Sequence, residues 1–126
     1  MIPAAVREAL AEHARAEAPN EACGLILLDG ERAIRYEPGI NAQPSPYRFE
    51  LRMPDPEIWF AADDGLDLAI FHSHLTSPPR PSRTDVENIG QWKGLPYVIY
   101  TLRTDELAAW RITDGAIDPL PLEETA

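Results

Sequence analysis

Apolar residues recur three or four positions apart at the start of the chain, at Ile2, Val6, Ala9 and Leu10, with His13 on the same side. That period predicts an amphipathic helix over Ile2 to Ala18, with Pro3 where a helix tolerates proline and Pro19-Asn20 as its stop. The period then changes. Ala22 to Leu28 is a continuous apolar run of strand length, Asp29-Gly30 is a hairpin signal, and Arg32 to Glu37 alternates. Together they predict a β-hairpin with Glu21 at its root. Prolines and amides make Pro38 to Pro46 a loop, after which Tyr47, Phe49 and Leu51 alternate as a strand. Pro54, Asp55 and Pro56 open a second helix running to Asp64, and Gly65 stops it.

Leu66 to Phe71 is another short apolar run, delivering His72 and His74 at its C-terminal end. Leu75 to Arg83 is too rich in proline and small hydroxyl residues for a regular element; it is ordered by something else or it is mobile. Ser82 to Trp92 reads as a helix with Val86, Ile89 and Trp92 on one face and Gly94 closing it. Pro96 to Leu102, Glu106 to Thr113 and Ala116 to Leu120 follow as strands, and the acidic tail from Pro121 is expected to fray. The pattern is that of a single α/β domain, α+β in its mixture, with a mixed sheet and two or three flanking helices.

Size agrees, since 126 residues suit one domain. Charge narrows the function: 21 acidic against 11 basic side chains give a net charge of −10, which repels nucleic-acid phosphates. No apolar run approaches the roughly 20 residues of a membrane span, and Glu8 and Glu12 stand where a signal peptide would be apolar. The expectation is a cytoplasmic protein with no membrane partner. Cys23 is the only cysteine, so an internal disulfide and thiolate-rich zinc sites are excluded. Inside an apolar strand it reads as a small buried hydrophobe.

The chemistry concentrates in His72-Ser73-His74, followed by Ser82 and Asp85. Residues two apart on a strand share a face, so both imidazoles can converge on one ion. Asp85, in the first turn of the following helix, can supply a third ligand. Three protein ligands and an open fourth position for water form the catalytic rather than the structural arrangement of zinc. Such a water still needs a group to take its proton. Glu21 is the candidate, because partial burial before an apolar strand would raise its pKa into the useful range. Ser82 can donate a hydrogen bond to an oxyanion. Each residue also has a plainer role: Ser82 and Asp85 make a helix capping box, a strand-end histidine can be structural, Glu21 can be a solvated hairpin residue, and His13 suits packing or the surface.

Glu21 ahead of Cys23-Gly24-Leu25-Ile26, together with His72-Ser73-His74, Ser82 and Asp85, resembles the JAMM (MPN-plus) zinc metalloproteases, whose motif is a distant glutamate plus HxHPx6SxxD. The likeness is to short, stand-alone prokaryotic members, including the sulfur-carrier-protein-cysteine peptidases, and extends to Asn41 and Tyr47-Arg48-Phe49. It implies a curved mixed sheet flanked by helices, similar to cytidine deaminases, whose paired-cysteine zinc motif is missing here. It further implies one zinc ion on His72, His74 and Asp85, Glu21 as general acid/base, and Ser82 holding water and oxyanion. Leu75 stands where the family has proline, a departure that removes no ligand.

By this resemblance the scissile amide follows the C-terminal Gly-Gly tail of a small ubiquitin-like or sulfur-carrier protein, and the amine released belongs to a cysteine or a lysine. The chain lacks room for the insertions by which eukaryotic relatives grip ubiquitin. The loops Asn41 to Pro46 and Leu75 to Pro81 are the expected groove walls, with Asn41, Ser73, Leu75 and Thr76 as substrate-binding residues. Two alternatives stand beside this reading: a non-catalytic scaffold of the same fold that binds partner proteins, and a zinc hydrolase acting on small-molecule amides.

Overall fold

Ile2 and Pro3 are extended, not helical, and form a short strand, β1 (Ile2–Pro3), ahead of the helix α1 (Ala4–Glu17). The computed structural model describes residues 1–125, and of these the side chains of all but Ala62, Asp63 and Thr125. Pro3 is the N-cap of α1, which buries Val6, Leu10, Ala11 and Ala14; of the residues the apolar period picks out, Val6 and Leu10 are buried and Ala9 is exposed.

The hairpin forms as β2 (Cys23–Asp29) and β3 (Arg32–Pro38), turning at Gly30 with φ +63°. The expected strand through Tyr47, Phe49 and Leu51 shrinks to β5 (Leu51–Arg52), paired with β4 (Ile40–Asn41) inside the segment assigned to a loop. The cause is Asn41. Its Oδ1 accepts the N–H groups of Gln43 and Glu50, and its Nδ2 donates to the carbonyl of Arg48, taking backbone groups that a longer ladder would have paired. The second helix is a 3-10 helix over Pro56–Asp64, entered through prolines that lack backbone donors.

β6 (Asp67–His74) carries both histidines to its C-terminal end. The helix expected over Ser82 to Trp92 divides into α2 (Arg83–Glu87) and a 3-10 turn, Gly90–Trp92, because Gly90 takes a left-handed conformation at φ +47°. Then come β7 (Pro96–Thr101), β8 (Glu106–Thr113), β9 (Ala116–Leu120) and β10 (Glu124–Thr125). The tail expected to fray is paired at Glu124–Thr125. β10 pairs in parallel with β1, and the Arg7 guanidinium bonds both Glu124 and Asp105, so a cation from α1 offsets the charge that suggested a solvated end.

Six strands form the main sheet in the order β3-β2-β6-β7-β8-β9, antiparallel except for the central β6·β7 pair. One face carries Ala69, Phe71, Val98 and Tyr100 in the same cluster as the buried side of α1. The other gathers Leu25, Ile70, Tyr97, Ile99 and Ile112, covered by Met53, Trp59 and Trp92. Fully burying each large aliphatic side chain contributes roughly 1.5–3 kcal/mol. This mixed α+β architecture is the fold class that the sequence pattern predicts.

Candidate active site

Alternation along β6 puts His72 and His74 on the face of Ile70, at the end where the parallel pair β6·β7 terminates at His74 and Thr101. Both imidazoles are buried, and Asp85, in the first turn of α2, reaches them across the loop. His72 Nε2 lies 3.1 Å from His74 Nε2, and the Oδ2 of Asp85 lies 3.3 Å from the first and 3.2 Å from the second. Ligands held about 2.0–2.1 Å from a tetrahedral zinc are separated by about 3.3 Å, so the three donor atoms already sit at the edges of such a polyhedron.

His74 Nδ1 lies 2.9 Å from the carbonyl of Pro78, which can only accept, so Nδ1 is the donor of that bond and Nε2 is the ring nitrogen turned toward Asp85. Burial lowers the pKa of His72, against the nearby Asp85 charge that raises it. Its ring is stacked on Phe49 at 4.6 Å and packed edge-on against Tyr97 at 5.0 Å. Burial alone would raise the Asp85 carboxyl, but the two imidazoles and the N–H of Ser82, 2.8 Å from Oδ2, outweigh it and hold the group well below the usual carboxylate range.

Glu21 is positioned by four backbone ties. Its N–H donates to Ser45 and its carbonyl accepts from Asn41, while the next residue, Ala22, exchanges bonds with the Oγ and N–H of Ser73 on β6. The carboxyl is buried, and one of its oxygens lies within 4.8 Å of a nitrogen of each histidine. Burial first, and the Asp85 charge second, push its pKa up to about 9. Its Oε1 is a buried polar atom without a hydrogen-bond partner among the described residues. The two carboxyls beside the histidines are thus differentiated, Asp85 held low and Glu21 pushed up.

Ser82 caps α2. Its Oγ accepts the N–H of Asp85 at 3.1 Å and Asp85 returns a bond to the Ser82 N–H, so the capping box is real, yet the hydroxyl proton remains free to donate. The expected substrate contacts fare differently. Ser73 is buried on the opposite face of β6, because one step along a strand reverses the side chain, and it ties β6 to Ala22. Asn41 is committed to its own loop and to Glu21. Leu75 is half-buried, its carbonyl accepting the N–H of Arg103, and Thr76 is exposed. Cys23 is buried, its thiol pushed up to about 12 by burial and then by Glu21, as suits a small hydrophobe. His13 bonds the Tyr36 hydroxyl at 2.6 Å and has a packing role.

The proline-rich loop is ordered by three side chains. Consecutive carbonyls accept from Thr101 Oγ1 (Ser77, 2.7 Å), His74 Nδ1 (Pro78, 2.9 Å) and Trp110 Nε1 (Pro79, 2.8 Å). Pro78 and Pro79 have no N–H, so these oxygens are their only backbone anchors. Thr101, Trp110, Phe49 and Tyr97 escaped the sequence reading as site residues, since each acts from a distant element.

A mixed sheet presenting two histidines to a helix-cap aspartate, with a buried glutamate alongside, defines a metallopeptidase of the JAMM type. The chain belongs to the prokaryotic homologues of the JAB domain, whose family model matches residues 3–113. It is 33% identical over 130 residues to the CysO-cysteine peptidase of Mycobacterium tuberculosis, covering 97% of this chain and 88% of that protein. It is 34% identical over 121 residues to a probable TtuB-protein conjugate cleaving protease of Thermus thermophilus, covering 90% and 76%. The solution structure of protein DSY2949 from Desulfitobacterium hafniense superposes with a TM-score of 0.78 at 28% identity, over 99% of this chain and 93% of that one. Among the described residues no helix is long and apolar enough to cross a membrane.

Proposed function

We propose that this chain is a zinc-dependent peptidase that hydrolyses the amide after the C-terminal Gly-Gly tail of a small ubiquitin-like or sulfur-carrier protein, releasing cysteine or a lysine-linked protein. The observation that carries the reading is the triangle of donor atoms at 3.1–3.3 Å beside the unpartnered Oε1 of Glu21. The relatives support the substrate class, being a peptidase and a protease named for small-protein conjugates. Cytoplasmic residence belongs to the same reading.

His72, His74 and Asp85 would hold the ion. Zinc supplies a Lewis acid that polarises a carbonyl and acidifies water toward a pKa of about 7. Glu21, with a carboxylate oxygen near both histidines, takes the proton of the attacking water and passes it to the leaving amine. Glu21 is pushed up to about 9 by burial and the Asp85 charge, and a cation held by the trio would lower that value, toward the range in which one carboxyl serves as both base and acid. Ser82 donates its hydroxyl hydrogen to the developing oxyanion while its oxygen remains the helix cap. Phe49 and Tyr97 shield His72 from water and fix its ring.

The test is mass spectrometry of a sulfur-carrier protein bearing a C-terminal residue beyond Gly-Gly, before and after incubation with the zinc-loaded protein. Loss of the terminal residue, abolished by a chelator and restored by zinc, is expected. An intact adduct, or cleavage indifferent to chelation, overturns the reading.

A further inference from the structure

Beside the trio lies a cavity of 410 Å³ that includes Asp85 in its wall and carries one cation, Arg48. Arg48 is exposed and forms no salt bridge among the described residues, although Glu50, two positions on, lines the same cavity. Asp85 is engaged by the two imidazoles and the Ser82 N–H, so its charge is not available to pair with the guanidinium. Gln43, Thr84, Asn88 and Gln91 give the cavity polar walls, with Phe49, Tyr97 and Trp92 among them. A chain of net charge −10 repels any carboxylate-bearing substrate over most of its surface, and Arg48 is the one cation lining the cavity that Asp85 also lines.

We infer that Arg48 binds a carboxylate of the substrate, an inference that rests on the hydrolase reading and adds a specificity residue to it. A guanidinium fork matches a carboxylate's two oxygens, which a neutral amide cannot reproduce. Two sources offer this group: the α-carboxylate of a released terminal residue, bonded to the carbon next to the scissile nitrogen, or an acidic side chain in the tail ahead of Gly-Gly. A lysine-linked protein offers no α-carboxylate at that place, so the first source would restrict the enzyme to releasing single C-terminal residues.

The experiment uses the zinc-loaded protein and two peptide pairs. One pair ends in Gly-Gly-Cys as free acid or C-terminal amide; the other carries Glu or Gln before Gly-Gly and ends in the amide. Binding of the same peptides to the zinc-loaded Glu21→Gln protein gives a readout independent of turnover. The carboxylate member of one pair should be favoured about tenfold in kcat/KM, through KM, and in Kd, the effect expected of one charge-assisted hydrogen bond. The preference should vanish in Arg48→Ala, reverse in Arg48→Glu, and weaken at high salt. The pair that shows it identifies the source. Absence of any carboxylate preference, or one that survives in Arg48→Ala, overturns the inference and leaves the hydrolase reading intact. Failure to cleave any of the four peptides overturns that reading and the inference with it.

Discussion

The indole N–H of Trp110 donates to the carbonyl of Pro79 at 2.8 Å, joining the penultimate strand of the main sheet to the loop that connects the two histidines with Asp85. Loop closure between His74 and Asp85 is therefore set from outside the motif. A side chain 31 residues away helps hold His72, His74 and Asp85 in one arrangement.

Trp110→Phe keeps the ring and removes the donor, leaving a half-buried carbonyl with no protein partner. Stability should fall by about 1 kcal/mol, the net worth of one such bond. Zinc affinity, read by competition with a chromogenic chelator, should fall with it, whereas a loop indifferent to this anchor would bind zinc as before.

Glu21→Gln preserves shape and removes the proton carrier. Turnover should drop by about 10²–10⁴-fold, the contribution of general acid–base catalysis. Zinc content, measured by atomic emission, should stay stoichiometric. Loss of zinc would instead make Glu21 a ligand, in conflict with its raised pKa.

Asp85→Ala removes the only carboxylate of the triangle and half of the α2 capping box. Zinc should fall to background, and the drop in Tm that a chelator causes in the native protein should disappear. Losing the cap bond adds a cost of about 1 kcal/mol that zinc cannot restore.

The grouping of His72, His74 and Asp85 was legible because its physics is local: strand alternation pairs His72 with His74, and a serine three residues ahead of an acid places Asp85 in a first helical turn. The same alternation, followed one step further, turns Ser73 away from the site, so that assignment contradicted its own premise. What was not legible depends on distant partners. Phe49 stacks on His72 from a segment whose strand is replaced by the Asn41 clamp, and Arg7 docks a tail whose charge alone suggested solvent. Likewise, nothing local to Ser82 to Trp92 distinguishes one helix from two pieces; the left-handed Gly90 decides it.

Gly24 shows a further limit of pattern reading, since its run scores simply as apolar. A Cβ there would lie 2.6 Å from the carbonyl oxygen of Glu37 and strike the Tyr36 ring and hydroxyl. Gly24→Ala should destabilise the protein by about 1–3 kcal/mol or more, as overpacking does. Thermal unfolding checks this, and an unchanged Tm would mean that β3 yields without cost.

The metal-free protein should lose stability as pH rises, for a reason located at Glu21. Its carboxyl titrates near 4.5 when unfolded and is pushed to about 9 by burial and the Asp85 charge in the folded chain. Below about 4.5 both states are protonated and the group is neutral toward folding. Between about 4.5 and 9 the unfolded state releases a proton that the folded Glu21 retains, so this group's contribution falls across that window. The lowered pKa values of His72 and His13 act the other way below about 6.5, which leaves the net decline clearest from about 6.5 to 9. Asp85 acts in the opposite sense: its lowered pKa contributes stability above the ordinary carboxylate range that is lost in acid. Denaturant unfolding of the chelated protein at successive pH values separates the two. Glu21→Gln should flatten the decline between about 6.5 and 9 and leave the acid limb in place, and a decline unchanged by that substitution would assign the titration to some other group.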